Sequence, residues 1–281
     1  MVRNPLGALL VSLLPGLVAL PAVAQKPAPA PASSPKLDLS RLKRTLETGN
    51  EAEKLGALAE LAEAPKASAP SAAQLLNELL ARGASAAVLE KALEAEQKLA
   101  QPSSSPAIVP YVRHRNPTLR RAAARALAAT GGPVAVTALR GLLRGSDPAL
   151  RRQAARSLAA LDATEAVDDL FAVLGKEVPE AAGAIGKLCK PSDCQKLVDL
   201  LGRLPFDVMQ TGLEPMLLRP DAEVPEGFKL ELLERLRKLQ TQEVSVFLKT
   251  LLASFPKDGN VRVKAGIENA ASGKPVTNRK P

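Results

Sequence analysis

The sequence predicts an all-α protein, an α-α superhelix of stacked helical hairpins, and three observations carry that prediction. First, Ala and Leu dominate while aromatic residues make up 2% of the chain and Trp is absent. Ala and Leu favour helix, and the β-branched and aromatic residues that favour strands are scarce. Second, a two-helix pattern recurs at a fixed offset, the one that carries Asn116 onto Asp147. Third, Asn116-Pro117 and Asp147-Pro148 pair an N-capping side chain with a proline at the first helical position, where a missing N–H costs nothing.

The elements follow in chain order. Met1 to Ala24 reads as a secretory signal segment: Arg3 near the start, an uncharged Leu/Val/Ala run broken by Pro15-Gly16, then Ala22-Val23-Ala24 before Gln25. The rival, an uncleaved anchor, needs a span of about 20 apolar residues, and the Pro-Gly pair interrupts this one. The expectation is export to the periplasm or beyond, with cleavage after Ala24. Residues 25–36 (QKPAPAPASSPK) form a Pro/Ala-rich linker. Residues 37–104 read as N-terminal helical hairpins: Leu39, Leu42 and Leu46 are in helical phase, Gly49-Asn50 ends that segment, Glu51 to Ala64 follows, and Pro65 and Pro70 break the pattern. Ala72 to Arg82 and Ala86 to Ala100 form the next pair, and Gln101 to Pro106 is a loop.

Residues 105–204 carry the repeats. Asn116 to Ala129 matches Asp147 to Ala160 at ten of fourteen positions. Between them, Val136, Leu139, Leu142 and Leu143 correspond to Val167, Leu170, Val173 and Leu174. A weaker third copy runs from Pro179 through Leu188 to Cys194, Leu197, Leu200 and Leu201. A period near 31 built from two helices implies a solenoid, because each hairpin leaves an apolar face that only its neighbour can cover. Residues 205–271 read as C-terminal helices and cap, with Pro205, Pro215, Pro220 and Pro225 shortening the helices and Phe228 to Leu239, Gln242 to Phe255 and Val261 to Ala271 closing the stack. Residues 272–281 are expected to be a disordered basic tail.

The pattern Ala-x-Val-x-x-Leu-x-x-Leu-Leu followed by Asp-Pro-x-Leu-Arg-x-x-Ala-Ala-x-x-Leu resembles HEAT repeats, in particular the short bacterial type also found in phycobilin-lyase-like proteins. Ala181 to Pro191 is similar to that type's Ala-x-x-Ala-Leu-Gly-x-Leu-Gly-Asp-Pro segment, with Cys189 and Lys190 in place of Gly and Asp. The resemblance covers about Pro106 to Leu201. Tetratricopeptide repeats differ in period and in their aromatic markers. The resemblance implies a hairpin solenoid, and it implies that arginines of a second helix pair with the Asn or Asp of the inter-helix turn: Arg120 or Arg125 with Asn116, Arg151 or Arg156 with Asp147.

Charge gives the sharpest functional signal. Of the formal +9, the stretch from Arg113 to Arg156 holds ten arginines against Asp147 alone, and the rest of the chain carries 28 charges of each sign. With Leu119, Ala122, Ala123, Ala126 and Leu127 as the apolar stripe, Arg121 and Arg125 fall on the opposite side of their helix and Arg120 on its flank. The next repeat places Arg152 and Arg156 likewise, with Arg151 on the flank. These six, together with Arg113 and Arg144, are the candidate binding residues for an anionic partner: an acidic protein, a polyanionic glycan or lipid head groups. The alternative is an intramolecular ladder. Nucleic acid fits poorly, since Tyr111 is the only Tyr and an exported chain does not normally meet the genome.

Cys189 and Cys194 straddle Lys190-Pro191-Ser192-Asp193. An oxidising compartment favours a disulfide stapling this turn, with a redox-active pair or free thiols as alternatives. His114 is the only His, so neither a zinc site nor His-Glu di-iron chemistry finds its ligands, and no cofactor is expected. No phosphate loop or nucleophile elbow appears. The expectation is an exported binding or scaffold protein without catalysis; the alternative is a phycobilin-lyase-like enzyme or an accessory subunit of an enzyme complex.

Overall fold

Several helices start on side-chain caps. Asn116 Oδ1 accepts from the Thr118 N–H and Asp147 Oδ1 from the Ala149 N–H, each at 2.9 Å, and Pro117 and Pro148 open the helices that follow. Asn50 and Glu53 go further and form a reciprocal capping box. In the computed structural model, which describes residues 37–176 and 178–276, fifteen α-helices follow in order: α1 (Leu39–Thr48), α2 (Glu51–Ala62), α3 (Ala69–Arg82), α4 (Ala86–Leu99), α5 (Ser105–Ile108), α6 (Pro117–Thr130), α7 (Gly132–Leu143), α8 (Pro148–Ala160), α9 (Val167–Leu174), α10 (Pro179–Leu188), α11 (Pro191–Val198), α12 (Phe206–Leu218), α13 (Glu226–Leu239), α14 (Gln242–Ser254) and α15 (Val261–Ala271). The expected signal segment, the Pro/Ala linker and residues 277–281 lie outside the described residues.

Successive helices pair into hairpins, and the hairpins stack in two layers. Helices α2, α4, α6, α8, α10 and α12 pack in succession in one layer, and α1, α3, α5, α7 and α9 do so in the other. The chain is thus an all-α hairpin solenoid. Its core runs along the seam between the layers and is made of Leu and Ala: Leu119, Ala122, Ala123, Ala126 and Leu127 are all buried, matching the expected stripe. Ala124 is also fully buried, because α6 is covered by α4 on one side and α8 on the other.

Prolines depart from their expected roles. Pro70 lies within the first turn of α3 rather than before it. Pro102 to Pro106 is helical rather than a loop, with a 3-10 turn at Pro102–Ser104 running into α5; Ser104 and Ser105 are buried there, so the backbone groups need local partners. Pro215 lies inside α12 without ending it, near the helix end, where the one lost hydrogen bond falls on the Thr211 carbonyl. The C-terminal segment is held further than the tail prediction allowed, because the Val276 N–H donates to Glu234 at 3.1 Å.

The tightest contact joins α10 and α12. A Cβ on Gly186 would lie 2.0 Å from the Gly212 carbonyl oxygen, and one on Gly212 would lie 2.5 Å from the Ala182 carbonyl oxygen. The two backbones meet where neither carries a side chain. Thr211 Oγ1 bridges the same seam by donating to the Pro179 carbonyl at 2.6 Å.

Candidate binding surface

The arginines divide into three groups according to what the fold puts beside them. Arg120 and Arg151, on the flanks of α6 and α8, turn inward. Arg120 donates to the carbonyls of His114 and Arg115, both at 3.1 Å, and reaches Asp147 at 3.4 Å. Arg151 repeats the first of these bonds in the next hairpin, donating to the Gly145 carbonyl at 2.8 Å. The position that matches Asp147 one repeat later is Val178, and Arg151 Nε is buried with no partner among the described residues. The ladder therefore runs from one hairpin to the turn of the next and stops where the acid is lost. This corrects the expected pairing of each arginine with the turn of its own repeat.

Asp147 has two tasks. Burial pushes its carboxyl up, but the N–H groups of Leu150 and Ala149 and the Arg120 guanidinium outweigh that and hold it below its ordinary value. Asp169 on α9 behaves alike: burial raises it, and Arg140 at 2.5 Å and Arg144 at 2.6 Å draw it down. Arg144 is therefore tied to its own fold at one nitrogen, although its side chain remains 74% exposed.

The second group faces outward from the even-numbered layer. Arg152 and Arg156 share Glu180 of α10, at 3.9 Å and 3.2 Å, and both stay about half exposed. Neither α6 nor α8 carries an acid, as the sequence indicated, but the next hairpin supplies one. Arg121 and Arg125 have no acidic partner among the described residues; Arg121 is exposed and Arg125 half-buried. In repeat register, α4 carries Glu90 and Glu94 where α6 carries Arg121 and Arg125. The basic face is thus two helices wide, bounded by Glu90 and Glu94 on one side and Glu180 on the other. Helix spacing of about 10 Å sets its width.

The third group is Arg113, exposed and likewise without an acidic partner among the described residues. It belongs to a 3-10 segment, Val109–Arg113, that precedes α6. There it edges a groove of about 780 Å³ between that segment and α7. The His114 ring stacks on Tyr111, and its Nδ1 accepts from the Asn116 N–H, which leaves Nε2 as the ring's donor.

Cys189 and Cys194 lie at disulfide-bonding distance, with Cα atoms 5.3 Å apart, across the α10–α11 turn. Both are fully buried, and Arg219 donates to the Cys189 carbonyl at 2.8 Å.

Sequence reasoning did not single out Glu96. It is fully buried on α4, and the one hydroxyl near its oxygens, that of Ser104, lies outside good hydrogen-bond geometry. Burial pushes its carboxyl up to about 7, against a smaller opposing pull from Ser104. The sequence does carry a signal: Glu96 falls one repeat before Leu127 and two before Leu158, an acid in a leucine column.

The family model for HEAT repeats matches residues 72–148 and 141–214, about half of the 281 residues together. The chain is a HEAT-repeat protein. Among solved structures, this HEAT-repeat protein is similar to a chain of a homology model of the full-length AP-3 complex, at 14% identity and a TM-score of 0.51, covering 84% of this chain and 50% of that one. It also matches a chain of the CpcE–CpcF complex of phycocyanin lyase from Nostoc sp. PCC7120, at 19% identity and a TM-score of 0.45 over 87% of this chain and 98% of that one. A designed armadillo repeat protein in complex with a (KR)4 peptide matches at 15% identity and a TM-score of 0.41, over 84% and 99%. No curated protein matches the sequence.

Proposed function

We propose that this HEAT-repeat protein is an exported scaffold that binds an anionic partner, an acidic protein or another polyanion of the cell envelope, through the basic face of α6 and α8. One observation carries the reading: Arg121 and Arg125 stand beside Arg152 and Arg156 in successive helices, and the first two have no acidic partner among the described residues. Like charges four apart on a helix cost a few tenths of a kcal/mol, and nothing within α6 offsets that. Arg120 and Arg151 belong to the intramolecular ladder and support the face from below; Arg113 and Arg144 lie off it. Export rests on the sequence of residues 1–24.

Catalysis is not part of the reading. The acid lining the groove, Asp147, is occupied in capping α8 and pairing with Arg120, so it is not free to move a proton.

The test is charge reversal of Arg121, Arg125, Arg152 and Arg156 to Glu, followed by capture on heparin and on immobilised poly-glutamate. The expected result is loss of capture by at least tenfold with the helical circular dichroism signal kept. Unchanged capture by a folded variant would sink the proposal. Export is tested separately by fractionation and N-terminal sequencing, which should find Gln25 at the start of the mature chain.

A further inference from the structure

The groove beside α7 departs from its counterpart one repeat later. Its walls are apolar, with Val109, Val112, Val134, Ala138, Leu142 and Leu150 among the lining residues. Val134 is 45% exposed there. At the matching positions of the next repeat, the α9 hairpin carries Glu165 for Val134, Asp168 for Thr137 and Asp169 for Ala138. Glu165 and Asp168 are exposed there, whereas Asp169 is buried and paired with Arg140 and Arg144, so the exposed positions are acidic in one hairpin and Val134 and Thr137 in the one before it. A solvated helix face has no need of a valine at position 134.

The groove exists because the element preceding α6 is broken. Pro106 and Pro110 lie in a four-residue helix and a 3-10 segment, shorter than the twelve-residue α7 beside them. The side of α7 that a longer neighbour would cover is left open. Gly141 widens the opening: a Cβ there would meet nothing within 4 Å.

Charge selects the occupant. Arg120 is neutralised at the groove floor by Asp147, whereas Arg113 at the edge is exposed and lacks an acidic partner among the described residues. Apolar walls with an unneutralised guanidinium at the rim suit an aliphatic side chain followed closely by a carboxylate. The geometry points to this groove as a docking site for a short acidic-aliphatic peptide segment of a partner protein. The inference does not rest on the arginine face of α6 and α8.

The probe is a fluorescein-labelled peptide, Gly-Glu-Leu-Asp-Glu-Leu-Gly, titrated with the chain and followed by anisotropy, beside a second peptide with Ser in place of both Leu. Gly141→Phe plugs the groove from a position with free space. Gly141→Ala leaves it open and favours the helix. The expected result is saturable binding of the Leu peptide, retained by Gly141→Ala and weakened at least tenfold by Gly141→Phe, by Arg113→Glu and by the Ser replacement. If Gly141→Phe fails to fold, Val134→Glu supplies the blockade at a half-exposed site. R121E/R125E should leave this binding within about threefold, which separates it from the arginine-face reading. Four results would overturn the proposal: no saturable binding of the Leu peptide, equal binding of the Ser peptide, undiminished binding by the folded plugged variants, or a dimeric parent that Gly141→Phe makes monomeric, which would make a second copy the occupant.

Discussion

Glu96 places an acid in a column that its repeat otherwise fills with leucine. The matching positions of the next two repeats are Leu127 and Leu158, both buried. The carboxyl is fully buried too, and burial raises it from 4.5 to about 7. The folded state therefore holds a proton that the unfolded chain releases at lower pH. Stability is unpenalised below the unfolded value and falls as pH rises from about 4.5 to about 7, after which the penalty is constant. A shift of that size corresponds to about 3 kcal/mol. Glu96→Leu is expected to flatten the dependence and raise stability at pH 8 by about 2–3 kcal/mol. Urea unfolding at pH 5 and pH 8 checks this; a parent equally stable at both would refute it. The same scale separates the arginines. Arg120 and Arg121 are adjacent in sequence, yet one is bound to two carbonyls and Asp147 and the other has no acidic partner among the described residues. One step along a helix turns a side chain by about 100°, and that angle decides which of the two faces solvent.

At the scale of elements, the α10–α12 contact has no slack. Gly186 and Gly212 let two backbones approach to distances at which a Cβ overlaps a carbonyl oxygen. Gly186→Ala is expected to cost about 3 kcal/mol or more, since neither backbone can yield without moving its whole helix. Gly56→Ala on α2, where a Cβ would meet nothing within 4 Å, should instead be neutral or stabilising by up to about 1 kcal/mol. Thermal denaturation of the two variants reads both, and equal melting temperatures would contradict the packing argument. The turn between α10 and α11 sits beside that contact. Cys189 and Cys194 span it, and Arg219, from the residue after α12, reaches back to the Gly186 and Cys189 carbonyls. The turn is thus held by the chain on both sides of the α10–α12 seam.

Across the whole molecule, the charge excess is local. The 28 positive and 28 negative charges outside Arg113 to Arg156 cancel, and many are paired along the stack, as Arg41 is with Glu60 and Arg235 with Asp199. Asp169 and Glu180, from outside that stretch, take up Arg140, Arg144, Arg152 and Arg156, so the positive charge without an acid beside it among the described residues includes Arg113, Arg121 and Arg125 of the middle hairpins. Capture on heparin is expected to weaken severalfold as ionic strength rises from about 0.05 to 0.3 M, because the Debye length shrinks below the spacing of the two helices. The Leu-peptide interaction, partly apolar, should weaken less over the same range. Equal salt dependence of the two would count against separate surfaces.

Much of this protein is legible in its residues alone. Helix phase, the repeat period, the Asn-Pro and Asp-Pro starts and the location of the charge excess all follow from local rules, because hairpins stack on sequence neighbours and the contacts that matter lie about one repeat apart. The HEAT family and the hairpin solenoid follow from these same features. Tertiary structure decided what crosses from one hairpin to the next. It brought Glu180 under Arg152 and Arg156, passed Arg120 to the Asp147 of the following turn, and left Arg151 with a carbonyl where Val178 replaces an acid. It also opened the groove beside α7, which depends on the shortness of a neighbouring element. A repeat pattern specifies which face of a helix is buried. It does not specify which side chain from the next helix arrives beside an exposed one, since that depends on the rotation and offset between helices, and these are set by packing along the stack.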